Sequence, residues 1–223
     1  VIFTPSPNFD ARPEKKIDHL VLHYTGMKSA AEAVARLCDP AAKVSSHYVV
    51  DEDGTVYALV GEENRAWHAG VSCWRGVRGL NDRSIGIEIV NPGHEFGYRA
   101  FPEAQMVAVR DLCLGILGRW PGVEARNVVG HSDIAPDRKQ DPGELFPWKW
   151  LAAAEVGMWT DEVAAPGDIF SDLAAIGYDI GLPAGMVITT FQRHFLPGHL
   201  SGEADAETAG KAAAVRALVD RAG

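Results

Sequence analysis

Cysteine is scarce: three residues among 223, at positions 38, 73 and 113, with no C-x-x-C pair. This excludes a disulfide framework and a thiolate metal cage. No apolar run approaches the roughly 20 residues that span a bilayer, so no transmembrane segment is expected. An excess of cations is also missing. Lys and Arg number 21 against 30 Asp and Glu, a formal net charge of −9, which leaves no electrostatic footprint for nucleic acid or an anionic membrane. Internal repeats and low-complexity tracts are absent. The opening stretch, "VIFTPSPNFDARPEKK", lacks the basic-then-apolar pattern of a secretory signal, and unpaired thiols fit a reducing compartment. The expectation is a cytoplasmic monomer, with a periplasmic or membrane-anchored location as the alternative should a signal precede Val1.

What remains is an ordinary globular composition, 47% hydrophobic and 23% charged, sufficient for one substantial core or a medium domain with a small one. Residues 17–25, "IDHLVLHYT", read as a buried strand, and 29–38 as a helix with Ser29 as N-cap. Residues 45–60 read as two strands turned at Asp53-Gly54. In "SIGIEIVN" (84–91) the alternation places Ile85, Ile87 and Ile89 on one face and Gly86, Glu88 and Val90 on the other. Met106, Val109, Leu112, Cys113, Ile116 and Leu117 recur at helical spacing between Pro102 and Trp120. "RNVVG" (126–130) is a short strand, and another helix starts near Pro147. Beyond a linker at 160–168 come only helix-like stretches, at 168–177, 184–196 and 205–220. The fold class is therefore α/β, a mixed central sheet flanked by helices over residues 1–160, followed by a small all-α domain over 161–223.

The densest ionisable stretch is "GHSDIAPDRKQDPG" (130–143). Its prolines and glycines exclude a continuous helix or strand. His131 follows a strand, His23 ends another, and Asp141 lies ten residues beyond His131. Two imidazoles at strand ends with a carboxylate in the proline-bounded loop suit a catalytic zinc, which takes three protein ligands and keeps a fourth position open. Each alone reads more readily as a hydrogen-bonded histidine or a turn aspartate than as a ligand. Glu88, between two isoleucines, is either a salt-bridged strand residue or a general base. Lys139 is either a solvated loop lysine or a stabiliser of an oxyanion.

Taken in order, "LVLHYT", "SSHYVVDEDG", "WHAGVS", "LNDRSIGIEI" and "GHSDIAPDRKQDPG" resemble the zinc-dependent N-acetylmuramoyl-L-alanine amidases of the amidase-2 type, which share the peptidoglycan-recognition-protein fold. The resemblance covers about residues 8–158. It implies one zinc per chain held by His23, His131 and Asp141, with Glu88 as catalytic carboxylate and Lys139 stabilising the oxyanion. It further implies hydrolysis of the amide between N-acetylmuramic acid, or its 1,6-anhydro form, and L-alanine, with peptidoglycan fragments or muropeptides as partners. Tyr24, Trp67 and His68 are expected to line the substrate groove, and His47 to be structural. Some relatives carry an arginine directly before the L-N-D triplet; here that position is Gly79, and the expectation for a substrate contact moves to Arg78. In the tail, "VITTFQRHF" and "GEADAETAG" resemble a peptidoglycan-binding-like helical module, with a helical appendage packed on the catalytic part as the other reading. A non-catalytic recognition protein of the same fold is the alternative function, and loss of a zinc ligand or of the lysine would signal it.

Overall fold

The computed structural model describes residues 1–222. Its elements are β1 (Ile2–Phe3), β2 (Phe9–Ala11), β3 (His19–Tyr24), α1 (Ala30–Cys38), β4 (Tyr48–Val50), β5 (Val56–Ala58), β6 (Asn64–Ala66), β7 (Cys73–Trp74), β8 (Val77–Arg78) and β9 (Ser84–Ile89). They continue with α2 (Gly93–Phe96), α3 (Glu103–Arg119), β10 (Val128–Gly130), α4 (His131–Ile134), α5 (Trp148–Ala152), α6 (Ile169–Ile176), α7 (Ala184–Phe195) and α8 (Ala206–Ala222). Six strands form one sheet in the order β1-β5-β4-β9-β3-β10. Within this sheet only the β4–β5 hairpin pairs antiparallel; β3 lies parallel to both β9 and β10.

The isoleucine alternation of β9 decides which side of the sheet becomes dry core. Ile85, Ile87 and Ile89 are fully buried with Leu20, Leu22 and Val128 against Met106, Val109, Cys113 and Ile116 of α3. The opposite face of β9 carries Ser84, Gly86 and Glu88, and this is the face that holds polar chemistry. There Val21 and Val129 pack beneath helices α6 to α8, in one cluster with Leu173, Phe191, Ala212 and Val215. Residues after 160 are thus helical, and their apolar faces merge with the sheet's own core. The connection between them is tied down as well: Ala164 N–H donates to the Gly210 carbonyl at 3.0 Å, and Lys211 Nζ donates to that of Thr160 at 2.8 Å. Where α6 ends, Gly177 adopts φ +145°, and a Cβ there would meet the Trp74 ring at 2.6 Å. The close approach requires glycine.

Capping follows the sequence. Ser29 accepts from Glu32 N–H at 3.2 Å, Asp168 from Phe170 N–H at 3.1 Å, and Asp205 from Thr208 N–H at 2.8 Å. No helix or strand runs through the 130–143 stretch, as expected; it opens with a single helical turn, α4, because its first proline comes only at Pro136 and Asp133 closes the turn by accepting Gly130 N–H at 2.7 Å. Among the described residues no helix is long and apolar enough to cross a membrane.

Candidate active site

In open α/β sheets ligands bind outside the carboxyl ends of the parallel strands, and the predicted site residues gather there. His23 is the penultimate residue of β3 and Glu88 of β9, and the two are register partners in the ladder. His131 opens α4 directly after β10. Asp141 reaches the same point because Ser132 N–H donates to its carbonyl at 2.8 Å. His23 Nδ1 lies 2.8 Å from His131 Nδ1, and both lie 3.1 Å from Asp141 Oδ2. All three residues are buried.

The surrounding hydrogen bonds assign the tautomers. Ser84 Oγ donates to the Leu80 carbonyl at 2.6 Å, a group that can only accept, so the Ser84 oxygen receives His68 Nε2–H at 3.1 Å. His68 Nδ1 is then bare and accepts His23 Nε2–H at 3.0 Å. His131 Nε2–H donates to the Ala69 carbonyl at 3.3 Å. Burial, with His131 nearby, pushes His23 down to about 4, and burial pushes His68 well below its ordinary value, so both rings are neutral near pH 7. The Nδ1 atoms of His23 and His131 and a carboxylate oxygen of Asp141 therefore face one common point, while the Nε2 atoms of both rings are engaged elsewhere. A His/His/carboxylate set so converged suits a divalent ion. Imidazoles whose far nitrogens are held by fixed acceptors are the usual outer support of a metal site.

Glu88 Oε2 is buried without a hydrogen-bond partner. Burial first, then the charge of Asp141, push its pKa well above the carboxylate range, and Lys139 offsets part of this. That is the environment that tunes a carboxyl group for proton transfer near neutrality. A cleft of about 660 Å³ opens over these groups, its wall including Tyr24, Arg36, Trp67, His94 and Lys139. Tyr24 Oη lies 2.9 Å from His94 Nδ1, and Trp67 Nε1 donates to Asp10 at 2.7 Å.

One groove expectation, that for Arg78, is corrected. His68 stands in the cleft wall as expected, though it is only 8% exposed and its nitrogens are committed to His23 and Ser84. Its ring fits because residue 86 is glycine, where a Cβ would stand 2.4 Å from His68 Cγ. Arg78 is absent from the cleft wall. It sits on the β7–β8 hairpin with an exposed side chain paired to Asp179 at 3.3 Å, because that hairpin aims it at the C-terminal helices. His47 lies in a bend just before β4 rather than within a strand, and its Nδ1 accepts Gly86 N–H at 2.9 Å. Sequence reasoning missed Arg138, whose guanidinium donates to the carbonyls of Ala69 and Val71 at 2.5 and 2.6 Å and so fixes the segment that orients His131. Its place in the charged loop, beside Lys139, was the available signal.

A parallel-strand edge carrying two imidazoles, a carboxylate, an unpaired glutamate and a lysine is the equipment of a metal-assisted hydrolase. The profile of the Amidase_2 family, described as N-acetylmuramoyl-L-alanine amidase, matches residues 13–144. The chain is 39% identical over 224 residues to the N-acetylmuramoyl-L-alanine amidase AmiD of Escherichia coli (strain K12), covering 86% of this chain and 80% of that one. It is 32% identical over 162 residues to the 1,6-anhydro-N-acetylmuramyl-L-alanine amidase AmpD of Haemophilus influenzae, covering 65% and 86%. Among solved structures, the complex of E. coli AmiD with anhydro-N-acetylmuramic acid-L-Ala-D-gamma-Glu-L-Lys superposes with a TM-score of 0.81 at 38% identity, over 93% of this chain and 91% of that one. AMPDH3 from Pseudomonas aeruginosa gives 0.82 at 34%, over 92% and 94%. The chain belongs to the Amidase_2 family of N-acetylmuramoyl-L-alanine amidases.

Proposed function

We propose that this chain hydrolyses the amide between the lactyl group of N-acetylmuramic acid, or its 1,6-anhydro form, and L-alanine. The observation that carries the reading is the convergence of His23 Nδ1, His131 Nδ1 and Asp141 Oδ2 beside an unpaired Glu88. One zinc per chain, held by those three residues, would supply an acidified water and a Lewis acid for the carbonyl. Glu88 takes a proton from the attacking water and delivers it to the alanine nitrogen as the C–N bond breaks, leaving a free amine and a lactyl carboxylate. Lys139 donates to the oxygen that gains charge as the carbonyl turns tetrahedral. Tyr24 and Trp67 hold substrate along the cleft wall. The relatives named for the anhydro substrate, and the AmiD complex with an anhydro-muramyl peptide, support soluble muropeptides as the substrate class. We read residues 1–160 as the catalytic part and 161–223 as a helical part fused to its core.

The test is product analysis on anhydro-N-acetylmuramyl tripeptide with zinc-loaded protein. Release of free tripeptide with an L-alanine amino terminus is expected. Glu88→Gln should bind zinc normally and lose about 10²–10⁴-fold in kcat. Cleavage at any other bond, or a fully active Glu88→Gln, overturns the assignment. A non-catalytic receptor would bind the muropeptide and release nothing.

A further inference from the structure

Asp133 has no part in the chemistry above, yet it is 1% exposed and two residues from His131. A carboxylate so deeply buried is costly unless its oxygens are fully hydrogen-bonded. Oδ2 receives Gly130 N–H at 2.7 Å and His194 Nδ1–H at 2.8 Å, and Oδ1 receives the Tyr178 hydroxyl at 2.9 Å. Two of these three donors come from the chain that follows residue 160, Tyr178 just past the end of α6 and His194 within α7. A third contact from the same side runs from Thr190 Oγ1 to the Ser132 carbonyl at 3.2 Å. The donors are themselves held in place. The His194 ring stacks on Trp148 at 3.9 Å between centroids and on Phe195 at 4.1 Å, and Tyr178 lies edge-on to Trp74 at 4.9 Å. The turn so gripped is α4, which carries His131 and, through Ser132 N–H, anchors Asp141. The C-terminal helices thus bear on two of the three converging side chains without touching either.

We infer that the C-terminal helical part fixes the metal-binding turn, with Tyr178 and His194 acting through Asp133 as positioning residues. The inference rests on the metal-site reading above. Losing a donor leaves an imperfectly paired carboxylate at the back of α4, and the turn relaxes to find another partner. His131 Nδ1 and the Asp141 carboxylate then lose their common aim.

The experiment measures zinc affinity of the full-length chain by competition with a chromogenic chelator, and the visible spectrum of the cobalt-substituted protein. Tyr178→Phe and His194→Leu should each weaken zinc binding about tenfold, the lower end of what outer-support substitutions cost, and change the cobalt bands. His194→Asn, whose amide reproduces the Nδ1–H donor, should restore both. Leu173→Ala, a fully buried position in the same helical part, should lower the unfolding midpoint and leave zinc affinity intact. Wild-type affinity and spectrum in both Tyr178→Phe and His194→Leu would overturn the inference, as would a Leu173→Ala protein that loses zinc equally. If the unaltered chain binds no zinc, it is the metal-site reading that fails.

Discussion

Gly86→Ala changes one hydrogen to a methyl, touches no proposed ligand, and tests how the site is supported. The new Cβ would lie 2.4, 2.5 and 2.7 Å from Cγ, Nδ1 and Cδ2 of His68, where ordinary contact starts near 3.4 Å. The ring must retreat by about 1 Å. Its bonds to His23 Nε2 and Ser84 Oγ, now 3.0 and 3.1 Å, then stretch past the limit of a useful hydrogen bond. Crowding costs about 1–3 kcal/mol, and the stranded His23 N–H adds about 1–3 kcal/mol. Loss of glycine's freedom in the unfolded chain offsets about 0.5–1 kcal/mol. The net expectation is a destabilisation of about 1–5 kcal/mol with zinc affinity reduced about 10–100-fold. Urea unfolding and chelator competition measure the two effects. Gly118→Ala is the control, since nothing lies within 4 Å of a Cβ there and the helix should gain up to about 1 kcal/mol. A Gly86→Ala protein with wild-type zinc affinity would refute the chain of reasoning from Ser84 through His68 to His23.

Lys139→Met should reduce kcat about 10²–10³-fold with zinc affinity and KM nearly unchanged, the signature of a group that acts on the oxyanion; a change confined to KM would make it a substrate contact. Asp141→Asn should abolish the rise in unfolding temperature that zinc gives the wild-type chain, a rise worth about 2.7 kcal/mol at a hundred times Kd. Burial, with Arg12 adding to it, pushes His47 down to about 3, so the unfolded chain takes up a proton near pH 6.5 that the folded one refuses. Stability from this residue is complete above pH 6.5 and falls as the pH drops toward 3. It should decline by about 2 kcal/mol at pH 5, and urea titrations of chelator-treated wild-type and His47→Gln proteins at pH 7.5 and 5 should differ by that amount.

Local periodicity carried much of this structure. The β9 alternation and the α3 spacing are readable because each burial partner lies on the same face of the same element. His23 and His131 stand out as polar residues where apolar strands end, whereas Asp141, in a turn ten residues further on, has no such marker. The role of His68 has no local signal. A ring beside a groove and a ring beneath it read alike until β3 and β9 pair and bring Ser84 under it. Gly86 likewise looks like one more small residue in an alternation; its reason stands 18 positions upstream. Arg78 went astray because the turn of a two-residue hairpin decides its direction. Helical spacing announced that the C-terminal helices bury one face each, but their cover, the far side of the sheet and the back of α4, follows only from tertiary contact.

The His23–Glu88 register pair has a lasting consequence. The proposed ion ligand and the proposed proton shuttle face each other across one rung of a single backbone ladder, so their spacing is set by strand pairing and not by any loop. Loops around the rim can be exchanged, lengthened or recharged to admit new wall fragments without retuning the reaction itself. Conversely, a one-residue slip of either strand would silence the enzyme for every substrate at once.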